Sequence, residues 1–198
     1  MQNFWNQRFS EPEFVYGREP NAFFKEMLEG LTPGKLLLPA EGQGRNAVYA
    51  AQKGWAVTAF DNAEVGRERA LAWAAENEVS IEYLHVGYED SAFDGEQFDA
   101  IALIYAHMPA ALRTAFHQKL QAWLKPGGHL IVECFSPHQL NYPSGGPKQA
   151  EMLVHAHELR EDFNCFNFLS LVEGEIELKE GAYHQGAAHV VRCLARKP

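Results

Sequence analysis

An α/β fold with a largely parallel sheet is predicted from three features of the sequence. Patterns typical of buried strands alternate with helical patterns over residues 35–135. A glycine-rich turn follows the first of these strands, and two consecutive strands at 166–179 and 188–196 close the chain. Alternating strands and helices favour parallel pairing, whereas two strands joined by a turn pair in antiparallel fashion. The predicted sheet is therefore parallel with an antiparallel edge.

A single domain over residues 1–198 is predicted from length and composition. The 198 residues are 46% hydrophobic, which suits one well-packed core better than two. Neither an internal repeat nor a domain linker is visible in the sequence. Within this domain we expect residues 1–30 to form an amino-terminal lid and helix, and residues 136–150 to form a loop on the substrate side.

Turn residues delimit the elements in the first half of the chain. Residues 1–20 read as a loop, and a helix follows because Pro20 lies at its start and Gly30 at its end. Gly54 ends the helix after the glycine-rich turn, and Asn62 can cap the next helix. The predicted elements are helices at 21–30, 45–53 and 64–78 and strands at 35–40, 55–60 and 80–86.

The second half begins with a strand at 98–104 and an amphipathic helix at 109–124. The helix is predicted because its apolar residues recur at close to helical spacing. The turn Lys125-Pro126-Gly127-Gly128 ends it sharply. The remaining predicted elements are a strand at 129–135, a Pro/Gly-rich connection at 136–148, a helix at 150–162 and the two closing strands.

The charge of the chain argues against polyanionic partners. The sequence has 17 Lys and Arg against 26 Asp and Glu, so its formal charge is 17 − 26 = −9. Nucleic acids and anionic membranes attract basic surfaces, so neither is predicted as a partner. No apolar run approaches the roughly 18 residues of a spanning helix, and three widely spaced cysteines form no disulfide framework. We expect a cytoplasmic monomer or homodimer.

The glycine-rich turn is the strongest functional signal. Gly42 and Gly44 lack a Cβ, so the backbone at these positions can approach a ligand closely. The run Gly42-Gln43-Gly44-Arg45-Asn46-Ala47 satisfies the dinucleotide pattern G-x-G-x-x-G/A, and Asp61 follows 19 residues after Gly42. These features fit NAD, S-adenosylmethionine, or a tight turn that binds nothing.

Three observations favour S-adenosylmethionine over NAD. Glu41 directly precedes the first glycine, where its carboxylate would attract a cationic amino-acid group and repel a pyrophosphate. The chain has no room for a separate catalytic domain. Its Tyr-x-x-x-Lys run, from Tyr49 to Lys53, lies in the helix after the turn, which is the wrong place for a dehydrogenase acid/base pair.

Residues 37–61 resemble motif I and the following acidic strand end of class I S-adenosylmethionine-dependent methyltransferases. The turn at 125–128 resembles the one that precedes the fifth strand in these enzymes. Gly-Gln-Gly-Arg-Asn at 42–46 is similar to the tellurite-resistance and thiopurine-methyltransferase branch. The resemblance implies a Rossmann-like, seven-stranded methyltransferase sheet of order 3-2-1-4-5-7-6, with strand seven antiparallel and helices flanking the sheet.

The resemblance also implies roles for individual residues. The backbone at Gly42 and Gly44 would approach the methionine part of the cofactor, Glu41 would answer its ammonium group, and Asp61 would accept both ribose hydroxyls. At two places the chain departs from the pattern, with Pro39-Ala40-Glu41 before the glycines and Gly87 where relatives have Asp. The implied cofactor-binding set is Glu41, Gly42, Gly44, Asn46, Asp61, Asn62, Tyr88, Glu89 and Tyr105.

Acceptor-binding residues are expected on loops at the carboxyl ends of the strands. His107, after strand four, can act as a base near neutral pH, although a histidine bonded to its own loop is an equal alternative. Tyr105 is the second catalytic candidate. Aromatic residues of the amino-terminal segment are expected to cover the cleft. The substrate and lid candidates are Trp5, Arg8, Phe9, Tyr16, Gly17, His138, Tyr142 and Lys148.

A small-molecule acceptor is predicted from what the sequence lacks. His155 and His157 lie two apart on a predicted helix and face different ways, so we expect no metal. The run at 105–109 is not the Asn/Asp-Pro-Pro-Tyr/Phe of enzymes that methylate exocyclic amines. We therefore predict methyl transfer to a thiol, heterocycle or chalcogen oxyanion, giving S-adenosylhomocysteine. A non-catalytic S-adenosylmethionine-binding module and an NAD-dependent oxidoreductase are the alternatives.

Overall fold

The computed structural model describes residues 2–93, 95 and 97–198. Its helices are α1 (Gln2–Phe9), α2 (Ala22–Glu29), α3 (Arg45–Gln52), α4 (Glu64–Glu76), α5 (Ala110–Trp123) and α6 (Ala156–Asp162). Its strands are β1 (Lys35–Pro39), β2 (Ala56–Asp61), β3 (Glu82–His85), β4 (Phe98–Ile104), β5 (Leu124–Phe135), β6 (Asn167–Glu180) and β7 (His184–Arg196). Two short 3-10 helices, Pro137–Asn141 and Ala150–Met152, lie between β5 and α6.

The seven strands form one sheet in the order β3-β2-β1-β4-β5-β7-β6. β1 pairs in parallel with β2 and β4, and β4 pairs in parallel with β5. β7 is antiparallel to both of its neighbours, β5 and β6. The predicted order and the antiparallel seventh strand are confirmed. This order places the carboxyl ends of β1, β2, β4 and β5 along one edge, where open α/β sheets bind ligands.

Alternating side chains of the central strands divide the core between the two faces of the sheet. On one face, Leu36 and Leu38 of β1 pack with Phe24 of α2 and Val48 of α3. On the other face, Leu37 packs in a cluster that includes residues of α5 and α6. Both faces are therefore covered by helices, as a parallel sheet requires. Among the described residues, no helix is long and apolar enough to cross a membrane.

The amino-terminal segment differs from the predicted loop, because residues 2–9 form α1. The rings of Trp5 and Phe9, one turn apart, stack with centroids 5.4 Å from each other. Asn6 of the same helix accepts a hydrogen bond through its side-chain oxygen from the backbone N–H of Val65, at 3.1 Å. α1 is therefore held by packing and a polar bond to α4, which a local sequence pattern does not reveal.

Two further boundary predictions are wrong for identifiable reasons. Asn62 does not cap α4: the residue before the helix is Ala63, which makes no side-chain cap, and Asn6 bonds an N–H of the first turn instead. The helix predicted at 150–162 is divided, because Leu153 is extended and both Leu153 and Val154 are buried outside any helix. The Val154 N–H donates to the Phe135 carbonyl at 3.2 Å, which ties this segment to the end of β5.

Candidate cofactor and acceptor site

The turn between β1 and α3 depends on three residues with positive φ. Gly42 and Gly44 have φ values of 61° and 84°, and Ala40 has a φ of 54° although it carries a Cβ. A Cβ on Gly44 would lie 2.6 Å from the Cβ of Ala70 in α4. Gly44 is therefore required both by its backbone conformation and by the close approach of α4.

Asp61, at the end of β2, is bonded directly to this turn. Its Oδ2 accepts a hydrogen bond from the Gly42 N–H at 3.0 Å, and its Oδ1 accepts one from the Ala63 N–H at 2.8 Å. Burial raises the pKa of the Asp61 carboxyl, while these backbone bonds oppose the rise. Each carboxylate oxygen has a second lone pair, so the group can still accept two hydroxyl donors.

Glu41 lies in the turn but points to the helix that follows. One oxygen, Oε1, accepts from the backbone N–H groups of Asn46 and Ala47, both at 2.8 Å, and Oε2 accepts from the Asn46 side chain at 3.2 Å. The side chain thus caps the amino terminus of α3. Burial raises the pKa of Glu41 to about 7, against the lowering effect of these hydrogen bonds.

The residues assigned to the adenine side follow β2 and β3. The Tyr88 ring lies 4.8 Å from that of Phe116 and 6.4 Å from that of Phe60, so one of its sides is packed against the core. Glu89 is exposed, and its backbone carbonyl accepts a hydrogen bond from Lys119 at 2.7 Å. The Asn62 carbonyl is 3.1 Å from the His85 ring. An adenine-binding role for these residues stays a prediction.

Residues 2–20, here called the amino-terminal segment, cover the glycine turn. A Cβ on Gly42 would lie 2.8 Å from the Phe9 ring, so this ring rests on the turn itself. The Gln43 side-chain oxygen accepts from the Val15 N–H at 3.0 Å, and the Arg69 guanidinium donates to the carbonyls of Phe9 and Pro12 at 2.8 Å each. These contacts place the segment where a lid was predicted.

The same segment reaches the connection between β6 and β7. The Val15 carbonyl accepts from the Ala182 N–H at 3.2 Å, and the Arg8 guanidinium lies 3.8 Å from the Tyr183 ring centroid. The Tyr16 ring lies 4.5 Å from the His184 ring. Trp5, Tyr16 and their neighbours therefore join the turn after β1 to the antiparallel edge of the sheet.

A buried polar network begins at Tyr105, directly after β4. The Tyr105 hydroxyl donates to Glu133 Oε1 at 2.5 Å, and the Asn21 side-chain amide donates to the same oxygen at 2.9 Å. The second oxygen, Oε2, accepts from Arg192 Nε at 2.6 Å. Glu133 is fully buried in the middle of the sheet, so these three donors supply the compensation that a buried carboxylate requires.

Asn21 connects this network to the turn and to β6. Its backbone N–H donates to the Asn46 side-chain oxygen at 2.9 Å, and its amide donates to Glu180 Oε1 at 2.9 Å. Arg45, the first residue of α3, forms an ion pair with Glu180 at 2.8 Å. Although burial alone would raise it, the bond from His184 and the charge of Arg45 lower the pKa of Glu180 to about 2.

Tyr105 and His107, the two catalytic candidates, lie together against Phe135. The Tyr105 and His107 ring centroids are 4.6 Å and 5.5 Å from that of Phe135. Burial and the Glu133 charge raise the Tyr105 pKa well above its ordinary value. Burial lowers the pKa of His107 to about 4, although its ring bonds the Met152 carbonyl through Nδ1 at 3.1 Å. At neutral pH neither group is a strong base.

A cavity of about 450 Å³ opens beside this network. It lies between the end of the amino-terminal segment, the start of α2 and the last residues of β6. Arg45, Glu133, Glu180 and Arg192 line its polar part. This volume falls within the roughly 300–1,000 Å³ typical of small-molecule sites.

The candidates from the loop after β5 lie elsewhere. His138 is exposed, with its ring 4.8 Å from that of His189, and the Tyr142 hydroxyl donates to Glu175 at 2.7 Å. Lys148 is exposed. None of the three lines the 450 Å³ cavity. Within the described part of the chain, no three His, Cys, Asp or Glu side chains are arranged to hold a metal ion.

Glu133 and Asn21 are absent from the sequence prediction. Glu133 carried a usable signal, because a charged residue inside the apolar strand His129–Phe135 must find partners when the strand is buried. Asn21 carried only the signal of a helix cap, and its side-chain oxygen does accept from the Phe24 N–H at 2.8 Å. Its second role depends on residues more than 100 positions away.

Comparisons with known proteins agree with this architecture. Residues 39–128 match a family described as a methyltransferase domain. No curated protein matches the sequence. TehB from Haemophilus influenzae is similar in structure, with a TM-score of 0.75 and 17% identity over 100% of this chain and 67% of that one.

Two other solved structures are similar over the whole chain. The N-methyltransferase NodS from Bradyrhizobium japonicum, in complex with S-adenosylhomocysteine, has a TM-score of 0.73 at 13% identity and is covered over 98% of its length. A second structure, described under the conversion of a disulfide bond into a thioacetal group during echinomycin biosynthesis, has a TM-score of 0.73 at 18% identity. The match covers 92% of that chain. The domain match over residues 39–128, the sheet order and these likenesses show that the chain has the class I methyltransferase fold.

Proposed function

We propose that the protein transfers a methyl group from S-adenosylmethionine to a small-molecule acceptor by direct displacement. The observation that carries the choice of cofactor is the position of the Glu41 carboxylate. It accepts from the N–H groups of Asn46 and Ala47, the helix donors that a dinucleotide pyrophosphate would need. An anionic ligand would meet a carboxylate there, whereas the ammonium group of S-adenosylmethionine would be attracted.

Asp61 supports the same choice from the other side of the turn. Its two oxygens each hold one backbone donor and keep a lone pair for a ribose hydroxyl. The NodS relative is described with S-adenosylhomocysteine bound, in agreement with this cofactor. In this arrangement the glycine turn would hold the methionine part, and Tyr105 would lie near the transferred methyl group.

The acceptor is proposed to be a soft nucleophile, namely a thiol, a sulfur-bearing heterocycle or a chalcogen oxyanion. Bound S-adenosylmethionine supplies a sulfonium methyl group: a lone pair of the acceptor forms the new bond to carbon, and the carbon–sulfur electron pair returns to sulfur. An alcohol or amine would need a general base. His107 and Tyr105 are both poor bases at neutral pH, which favours an acceptor that is already nucleophilic.

The protein's own contribution is alignment and exclusion of water. The amino-terminal segment covers the turn: the Phe9 ring rests on Gly42, and Gln43 and Arg69 bond the backbone of the segment. Such a cover fits a site that must hold two reactants in line. The echinomycin-related structure is described as acting at a disulfide, so sulfur chemistry occurs on this fold. That likeness supports a sulfur acceptor.

Isothermal titration calorimetry with S-adenosylmethionine, S-adenosylhomocysteine and NAD tests the cofactor. We expect the first two ligands to bind and Asp61→Ala to weaken them by about 1–3 kcal/mol, because buried hydroxyl donors lose their acceptor. Asp99→Ala is the control. Asp99 lies at the amino end of β4, away from the carboxyl ends of the strands where Asp61 lies, and it accepts a hydrogen bond from Lys125. Binding of NAD alone, or an unchanged affinity in Asp61→Ala, would contradict the assignment.

A non-catalytic S-adenosylmethionine-binding module is the second candidate. It is favoured by one observation, that the Tyr105 hydroxyl and the Nδ1 atom of His107 are engaged inside the protein, with Glu133 and with the Met152 carbonyl. Among the described residues, His107 Nε2 is buried and has no hydrogen-bond partner. Transfer of a labelled methyl group to a panel of thiols, thiopurines and selenite separates the two. Cofactor binding without transfer to any acceptor would favour the module.

A further inference from the structure

The hydrogen-bonding groups on the wall of the 450 Å³ cavity differ in how far the protein itself already uses them. Both oxygens of Glu133 are engaged, Oε1 by Tyr105 and Asn21 and Oε2 by Arg192. Both oxygens of Glu180 are engaged as well, Oε1 by Asn21 and Oε2 by Arg45 and His184. The inner carboxylates are thus already satisfied by the protein.

The Arg192 guanidinium still has donors to offer. It uses Nε for Glu133, and its Cζ lies 5.2 Å from the Phe23 ring centroid. Within residues 2–93, 95 and 97–198, its two terminal amino groups have no hydrogen-bond partner. The side chain is 31% exposed and lines the cavity, so these amino groups are accessible to a ligand. A guanidinium with two available amino groups suits a carboxylate or another flat anion.

The remaining charged side chains that line the cavity are exposed to solvent or contact aromatic rings outside it. Glu19, Glu177 and Lys179 are exposed. Arg18 lies over the rings of Trp73 and Phe14, at 4.3 Å and 4.8 Å from their centroids. Arg192 is therefore the inner charged side chain whose hydrogen-bond donors are not all used. These donors favour a negatively charged ligand.

We propose that this cavity is the acceptor subsite, and that the acceptor is an organic molecule with an anionic group bound by Arg192. The inference rests on the proposed function and narrows it. A cavity of 450 Å³ is far larger than a bare chalcogen oxyanion, so a thiol or heterocycle that carries a carboxylate is the better fit. Arg45, which directly follows Gly44 of the cofactor turn, also lines the cavity, so an acceptor bound there would lie next to this turn.

Three thiols of matched size test the charge preference: 3-mercaptopropionate, 3-mercapto-1-propanol and 3-mercaptopropylamine. Their binding is followed by ligand-observed NMR with the whole protein, saturated with S-adenosylhomocysteine. We expect the anionic thiol to bind about tenfold more tightly than the neutral one, the ratio that one charge-assisted hydrogen bond gives. Arg192→Gln should abolish this ratio. Arg196→Gln, an exposed change on the same strand, should keep it.

Because Arg192→Gln also removes a partner of Glu133, a second variant keeps the test decisive if the first does not fold. Ala22 is exposed on the cavity wall, and Ala22→Phe should fill the cavity without changing its charge. We expect this variant to lose all three thiols and to keep S-adenosylhomocysteine. Equal binding of the three thiols, or full binding in Ala22→Phe, would overturn the proposal. Failure of S-adenosylhomocysteine to bind would instead remove the proposed function.

Discussion

The Tyr105 hydroxyl donates a hydrogen bond to Glu133 Oε1 at 2.5 Å, and this bond joins the residue after β4 to the last part of β5 inside the sheet. Tyr105 has a φ of 53°, a left-handed conformation that is uncommon for a bulky residue. Residues held in such a conformation concentrate at functional sites, where the surrounding contacts maintain them. The Tyr105 ring is held by the bond to Glu133 together with the stacked Phe135 ring, whose centroid is 4.6 Å away.

Tyr105→Phe tests the energetic weight of this bond. Glu133 is fully buried, so loss of one of its three donors should lower the free energy of unfolding by about 1–3 kcal/mol. The control is Tyr142→Phe, which removes a hydroxyl bonded to Glu175 at 2.7 Å in an exposed position. Urea denaturation should show a clear loss for the first variant and almost none for the second. Equal losses would mean that burial does not govern the network.

The positions of Tyr105 and Glu133 illustrate what sequence alone could predict. The alternation of strand and helix patterns predicted a largely parallel sheet with an antiparallel edge, because hydrophobic periodicity is a local signal. The order of the strands was implied by the resemblance to class I methyltransferases. Asp61 and the glycines lie where the pattern placed them, since they belong to one strand–turn–helix unit. Glu133 was overlooked because its partners come from α2, β4 and β7, and long-range pairing leaves no local signature.

The amino-terminal segment also shows which features a local sequence pattern can predict and which it cannot. Its aromatic residues predicted a cover over the cleft, because exposed rings need something to pack against. The Phe9 ring does pack on Gly42, while the role of a lid stays a prediction. The helix of this segment was not predicted, since α1 is stabilised by α4 more than by its own sequence. The candidates His138, Tyr142 and Lys148 were chosen by their position after β5, and the chain turns that loop toward Glu175 and His189.

Gly44→Ala and Gly54→Ala separate backbone strain from steric contact at the turn. Both glycines have strongly positive φ, 84° and 88°, so an added Cβ strains each backbone by a similar amount, about 1–2 kcal/mol. A Cβ on Gly44 would meet Ala70 at 2.6 Å, while one on Gly54 would meet nothing within 4 Å. We expect Gly44→Ala to lose about 1–3 kcal/mol more in thermal or urea unfolding. Similar losses in the two variants would show that α4 moves freely.

Glu41→Gln should change how stability depends on pH. The folded-state pKa of Glu41 is raised to about 7, so the folded protein binds a proton more readily than the unfolded chain between about pH 4.5 and 7. The wild type should therefore gain stability as pH falls through this range, by up to about 3 kcal/mol from this group. The variant lacks that gain.

The measurement for Glu41 is the difference between wild type and Glu41→Gln in urea unfolding at pH 8, 6 and 4.5. The helix-cap bonds lost or kept by glutamine contribute equally at every pH, so they cancel in this comparison. Parallel pH profiles would show that the carboxylate is not protonated on folding. A fall in the Glu41 pKa on S-adenosylmethionine binding, detected as proton release at pH 7, would support its predicted contact with an ammonium group.

His107→Phe should produce a pH effect of the opposite sign. Burial lowers the folded-state pKa of His107 to about 4, so the unfolded chain takes up the proton first as pH falls below about 6.5. The neutral ring thus favours folding above pH 6.5, and this contribution, up to about 3 kcal/mol, is lost between pH 6.5 and 4. Phenylalanine keeps a ring against Phe135 and cannot titrate.

Unfolding of wild type and His107→Phe at pH 7.5, 6, 5 and 4.5 gives the result directly. We expect the variant to be less stable at pH 7.5, because the bond to the Met152 carbonyl is gone, and to lose less stability than the wild type on acidification. The same pKa predicts that methyl transfer shows no inflection from His107 between pH 6 and 8, since the ring is neutral throughout. An inflection near pH 6.5 that disappears in His107→Phe would identify His107 as a titrating base and would reopen alcohols and amines as acceptors.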